Sequence, residues 1–234
     1  VTRVWFHPPW RTLALAAVAL AVAAAPGTLS LLQYHRDAIL GGEIWRILTA
    51  HVVHASANHL LWDVSALVII GVLFEQALRR RFWIVLLVSM VTVGGGLLVV
   101  EPDLGAYCGL SGVLNGLWVA GALAAARIEE RAGHRGLARL YRFALLVLAA
   151  KIAFEAATGT AVFTDAESLG AFPVPLAHLF GALGGWIAWR LTSTSAADHS
   201  RRRQRGPMQT PPRQDPRSVC LRSRRGPVPQ PRGR

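Results

Sequence analysis

Six apolar stretches recur along the first 192 residues, at roughly 13–32, 57–77, 82–100, 110–126, 137–157 and 175–192. Each is near the length needed to cross a hydrocarbon core of ~30 Å. Arginine occupies alternate gaps between them. Arg3 and Arg11 precede the first stretch, Arg79, Arg80 and Arg81 join the second to the third, and Arg127, Arg131, Arg135, Arg139 and Arg142 lie between or beside the fourth and fifth. The segments 101–109 and 158–174 carry no arginine, and the segment after the first stretch carries only Arg36 and Arg46. Cationic loops stay on the cytoplasmic side. Both termini are therefore expected in the cytoplasm, with three loops outside. The pattern predicts an all-α polytopic membrane protein, a bundle of six transmembrane helices over 13–192. A short cytoplasmic N-terminus (1–12) precedes it and a cytoplasmic tail (193–234) follows.

Composition agrees with that division. A chain that is 53% hydrophobic and carries a net charge of +12 suits a membrane protein whose charge lies in loops and tails. The first stretch has little charge before it and no clear small-x-small cleavage site after it, so it is read as a retained span. The tail is rich in Arg, Pro, Gln and Gly and is expected to be disordered. It suits anionic lipid headgroups or serves only to reinforce orientation; no specific nucleic-acid partner is expected. Cys108 and Cys220 fall on opposite sides of the membrane in this topology, so no disulfide joins them. No Cys/His metal-ligand spacing occurs, and neither a metal nor another cofactor is expected. No inverted repeat of the kind that builds transporters is present.

Ser111 stands between glycines in "YCGLSGVLNG", where a polar loop meets the fourth apolar stretch. From Ser111 to Ala126 a helix measures only about 24 Å, short of the core thickness. The serine is thus expected below the outer surface, facing a cavity that opens outward. The first turn of a helix gathers unpaired N–H groups and the positive end of the helix dipole, the elements of an oxyanion hole. Gly109 and Gly112 let backbone approach closely. The plainer alternative is a packing face made by Gly112, Gly116 and Gly121.

A serine needs a base. His178, in "PVPLAHLFGALGGWIAW", is an ionisable group within an apolar stretch and so a functional candidate. Gly181 and Gly185 share its helix face. If the Gly112/Gly116 pair meets the Gly181/Gly185 pair, His178 comes within reach of Ser111. No buried Asp is obviously placed to orient the imidazole, so the expectation is a Ser–His dyad. Lys151 and Glu155, four residues apart, read as a pair on one helix face, or alternatively as a proton relay.

These residues resemble the rhomboid family of intramembrane serine proteases. "GLSG" at 109–112 resembles the family's GxSG nucleophile motif, and "AHLFGALGG" at 177–185 its histidine helix. "EIWR" at 43–46 is similar to the Trp-Arg of the family's long first loop, and "HVVHASANHLLWD" at 51–63 to its HxxxxHxxxN segment. "GLSGVLNGL" further resembles the rhombosortase subgroup, which implies removal of glycine-rich C-terminal membrane anchors. By resemblance Ser111 is the nucleophile and His178 the general base. The resemblance also implies that His59, with backbone beside Gly109 and Ser111, stabilises the oxyanion, that His54 is structural, and that Trp45 and Arg46 anchor the loop. The implied partners are transmembrane segments of membrane-anchored proteins in the lipid bilayer of a bacterial-type inner membrane. Two departures stand out. Asp63 replaces the family's Asn, and is protonated, pairs with His59, or stays outside the oxyanion hole. Asn115 replaces a larger ring, and its amide is a candidate support for His178. The competing readings are an inactive rhomboid-like protein that binds transmembrane helices, and a transporter or proton channel using His178, Lys151, Glu155 and Asp63.

Overall fold

The computed structural model describes residues 8–160 and 174–204, with side chains to 193. Arg3, the tail beyond 204 and Cys220 lie outside the described residues. The elements are α1 (Trp10–Ala24), α2 (Thr28–Leu32), β1 (Tyr34–His35), α3 (Arg36–Leu40), α4 (Arg46–Thr49), α5 (Ala57–Leu78), α6 (Phe82–Val100), β2 (Ala106–Tyr107), α7 (Ser111–Arg131), α8 (Arg135–Thr158) and α9 (Pro175–Gln204). The chain divides into two units, Val1–Thr194 and Ser195–Arg234.

Among the described residues, two helical segments are long and apolar enough to cross a membrane, Ala57–Val100 and Ser111–Arg131, and Trp10–Ala24 is a shorter apolar helix. The first segment comprises α5 and α6, joined by a single 3-10 turn at Arg79–Arg81. Many large apolar side chains point outward, among them Ile69, Leu73, Leu87, Val91, Leu146 and Trp186. Helices that expose such residues along their length need lipid, not water, around them.

Several boundaries differ from those expected. The first apolar stretch is not one helix to residue 32. α1 ends at Ala24, and Pro26 and Gly27 break the chain before α2, with Gly27 at φ 75°. Proline withholds an N–H, and glycine adopts this left-handed conformation without strain. α7 continues to Arg131 instead of ending near 126, so its 21 residues measure about 32 Å. The charged residues of its last turn end the apolar stretch but propagate helix well. The shortness used to place Ser111 at depth therefore does not hold. α9 likewise runs past 192 to Gln204.

α7 is the central element. Of its apolar window 61% is buried, against 33% for Ala57–Val100. Small residues on α7 allow that enclosure: Ala120, Ala122, Ala124 and Ala125 are buried, and Gly121 packs against the Phe74 ring of α5. At the opposite end of the bundle Glu75 of α5 fixes the start of α1. Its carboxylate accepts the backbone N–H groups of Arg11 (3.1 Å) and Thr12 (2.9 Å), the Thr12 hydroxyl (2.8 Å) and the Arg11 guanidinium (3.3 Å). An anion at the first turn of a helix is matched to its orphan N–H groups and dipole.

Candidate active site

The loop before α7 is held from three sides. β2 pairs antiparallel with β1, Tyr107 opposite Tyr34 and Ala106 opposite His35. The Gly109 N–H donates to the Ala50 carbonyl (3.0 Å). The Leu110 N–H donates to Asp63 Oδ2 (2.6 Å). Gly109 has φ 112°, in the left-handed region, and a Cβ there would lie 2.5 Å from His59 Nε2. Both the turn and the imidazole behind it thus require glycine. Beyond the turn, Leu110 is the N-cap of α7 and Ser111 its first residue.

α9 packs against α7 through glycine. A Cβ on Gly181 would meet the Gly112 carbonyl, and one on Gly185 would meet Gly116. That approach brings His178, the fourth residue of α9, to the start of α7. His178 Nε2 lies 3.2 Å from Ser111 Oγ.

The other ring nitrogen also has a partner. His178 Nδ1 lies 2.8 Å from Glu155 Oε2, on the last turn of α8. The same oxygen accepts from Lys151 Nζ at 2.7 Å. The expected Lys151–Glu155 pair is present, and the same glutamate, not an aspartate, faces the imidazole. The carboxylate is turned into the bundle, with its side chain 1% exposed. Asn115 does not support the ring either: its Nδ2 donates to the Ser111 carbonyl (2.7 Å), closing the first turn of α7 on itself.

Asp63 sits behind the loop. Besides Leu110, its Oδ2 faces His54 Nε2 (3.2 Å) and His59 Nε2 (3.4 Å). Asp63 pairs with His59, one of the three alternatives, and His54 shares the same oxygen. His59 Nε2 accordingly points to the carboxylate and the Gly109 turn. Nearby, His51 is fully enclosed; its Nε2–H donates to the Met90 carbonyl (3.2 Å) and its ring meets Tyr107 edge-on. Burial, the largest influence, pushes its pKa down to about 4, so the ring is neutral at pH 7. Arg46 ties down the first loop: its Nε donates to Glu43 (2.7 Å) and its guanidinium to the Ser30 and Gln33 carbonyls (2.9 Å each). A cavity of about 550 Å³ opens between the end of α1 and the start of α5. Its lining includes Leu20, Pro26, Thr28, His54 and Leu60. Ser111 is not part of that lining.

The rhomboid domain family matches residues 41–195, which contain Ser111, His178, Glu155, Asp63, His59 and Gly109. The chain belongs to the rhomboid family. Rhomboids are in general intramembrane serine proteases acting on transmembrane substrates in the bilayer. The family and the apolar helices make this chain an integral membrane protein. No curated protein matches the chain at a significant level. The rhomboid match covers the loop anchored by Arg46, the α5 histidines, the serine turn and the histidine helix, but stops short of α1.

Proposed function

We propose that this rhomboid is an active intramembrane serine endopeptidase with Ser111 as nucleophile and His178 as general base. The observation that carries the reading is the 3.2 Å separation of Ser111 Oγ from His178 Nε2. That is hydrogen-bond reach for a nucleophile and its base. Ser111 Oγ attacks the scissile carbonyl carbon as its proton passes to Nε2. The carbonyl oxygen becomes an oxyanion in front of the first turn of α7, whose N–H groups have no intrahelical acceptors. Gly109 keeps that approach open, and His59 is the side chain proposed to assist. Collapse of the tetrahedral intermediate breaks the C–N bond, and the imidazolium protonates the leaving amine. Water, deprotonated by His178, then attacks the acyl-enzyme and releases Ser111. Helical peptide bonds are shielded by their own hydrogen bonds, so the substrate unwinds locally, which favours small or helix-breaking residues at the cleaved bond.

The proposed setting is a six-span bundle in a bacterial-type inner membrane, both termini cytoplasmic and the site opening outward. The arginine distribution supports it. Within the family, the proposed role is rhombosortase-type removal of glycine-rich C-terminal anchors, on the strength of "GLSGVLNGL". Ser111→Ala and His178→Ala, each assayed on a reconstituted transmembrane substrate, test the chemistry; full activity in either refutes it. Comparing anchored proteins in cells with and without the gene tests the subgroup, since uncut glycine-rich anchors accumulate only if this enzyme removes them.

A further inference from the structure

We infer that Glu155 is a positioning residue that holds His178 in its working orientation and tautomer, so that the unit is Ser111–His178–Glu155, with Lys151 steadying the carboxylate. The inference rests on the proposed roles of Ser111 and His178 and deepens them.

The two ring nitrogens of His178 have different partners. A carboxylate only accepts hydrogen bonds. With Glu155 Oε2 at 2.8 Å, Nδ1 carries the proton, and Nε2 is left as an acceptor facing the Ser111 hydroxyl at 3.2 Å. That is the tautomer a general base needs. Without the carboxylate the ring is free to rotate and to place its proton on Nε2, where it cannot take another. When Nε2 receives the Ser111 proton, the resulting imidazolium also lies beside a negative charge. A third group that orients a base in this way is the general logic of serine nucleophiles.

A buried carboxylate is costly unless it is paired and hydrogen-bonded. An ordinary i, i+4 pair on a membrane helix would leave both heads free to reach the interface. Here Lys151 is 21% exposed, while Glu155 is 1% exposed and points at the histidine of another helix. Among the described residues, the groups hydrogen-bonded to the His178 ring are Ser111 from α7 and Glu155 from α8, with Lys151 beside Glu155. Asn115 is committed to the Ser111 carbonyl. Among the described residues, the carboxylate is thus the acceptor placed on Nδ1.

Removing Glu155 alone would strand Lys151, so the main variant is Lys151→Met with Glu155→Leu. Replacing a buried ion pair by apolar residues of similar volume is often neutral or stabilising. The readouts are the rate at which a fluorophosphonate probe labels Ser111 in detergent micelles, the thermal midpoint, and the ¹⁵N signals of His178, assigned by their loss in His178→Ala. Lys151→Met alone leaves the buried Glu155 carboxylate without its cation, so it is expected to lower the thermal midpoint while keeping the Nδ1–H tautomer. The double variant is expected to keep its midpoint, label about 100-fold more slowly, and lose the Nδ1–H tautomer. Glu155→Gln removes the charge and presents an NH₂ that can donate to Nδ1 and hold the wrong tautomer, so it is expected to label at least about 100-fold more slowly; it decides the matter if the double variant unfolds. A parental labelling rate with an unchanged tautomer in the folded double variant, or a parental rate in Glu155→Gln, overturns the inference. His178→Ala separates the two levels: if it labels at the parental rate, the base assignment itself fails, whatever the Glu155 variants do.

Discussion

Gly181→Ala tests whether the close approach of α7 and α9 assembles the site. An added Cβ would lie 2.6 Å from the Gly112 carbonyl carbon and nearer still to its oxygen, whereas ordinary contact begins at 3.4 Å. Both partners are helix backbone, so no side chain can rotate away. Relief requires the helices to separate by at least about 0.8 Å, the difference between those distances. His178 lies one turn before Gly181 and Ser111 directly before Gly112. If the ring moves with its helix, the 3.2 Å contact opens to about 4 Å, beyond hydrogen-bond range. Misplacement on the scale of 1 Å costs about 100-fold in rate, and overpacking costs roughly 1–3 kcal/mol of stability. Fluorophosphonate labelling of Ser111 and thermal unfolding in the same detergent measure the two effects together. Gly95→Ala on α6 is the control, since nothing lies within 4 Å of a Cβ there; it is expected to label like the parent and to unfold no earlier. Parental labelling and stability in Gly181→Ala would refute the idea that glycine contact sets the Ser111–His178 distance.

Three further outcomes are expected. Glu75→Leu removes the acceptor of two backbone N–H groups and leaves Arg11 without its anion, costing about 3–5 kcal/mol; thermal unfolding, and earlier proteolytic release of α1, would show it. Asp63→Ala orphans the buried Leu110 N–H, at a cost of roughly 1–3 kcal/mol, and slows labelling of Ser111 by loosening its turn. Asp63→Asn retains an acceptor and is expected to lie closer to the parent in both measurements. The third outcome is pH-dependent. His51 has its pKa lowered to about 4 in the folded protein, against 6.5 as its ordinary value. Between those values the unfolded chain binds a proton that the folded chain refuses, so stability falls as pH drops from about 6.5 and levels off below about 4. The loss amounts to roughly 3 kcal/mol. A pH series of unfolding midpoints should therefore be flatter for His51→Gln than for the parent, and parallel curves would count against the buried neutral ring.

The helices were legible where hydropathy and local propensity agree. α5, α6 and α8 begin and end within about two residues of the expected bounds because arginine, Pro/Gly or a polar loop punctuates each. Legibility failed where the two signals diverge. Apolar character runs straight through Pro26 and Gly27, yet the backbone breaks there. Polar character begins at Arg127, yet arginine, isoleucine and glutamate continue the helix. The β1–β2 pair has two residues per strand, too few for any alternation to register. It nonetheless helps set the serine turn.

The missed partner of His178 follows a similar logic. Ser111 stands out in one dimension because glycines flank it at the start of an apolar run, and His178 because it is an ionisable residue in an apolar run followed by Gly181 and Gly185. Glu155 does not stand out, because Lys151 four residues earlier already accounts for it. Spacing along a helix pairs charges but does not say which side of the helix faces inward. Depth carries that information. α7 and α9 begin at the site, with Ser111 first in one and His178 fourth in the other. α8, which lies between them in sequence, must run the opposite way if the chain alternates, so its last turn returns to the same level. Glu155 is three residues before the end of α8. Level along the bundle, carried from α7 and α9 to the intervening helix, therefore selects Glu155 over every other acidic residue on α7, α8 or α9. An acid that can be found by level but not by neighbour spacing is what a site assembled at one end of antiparallel helices requires.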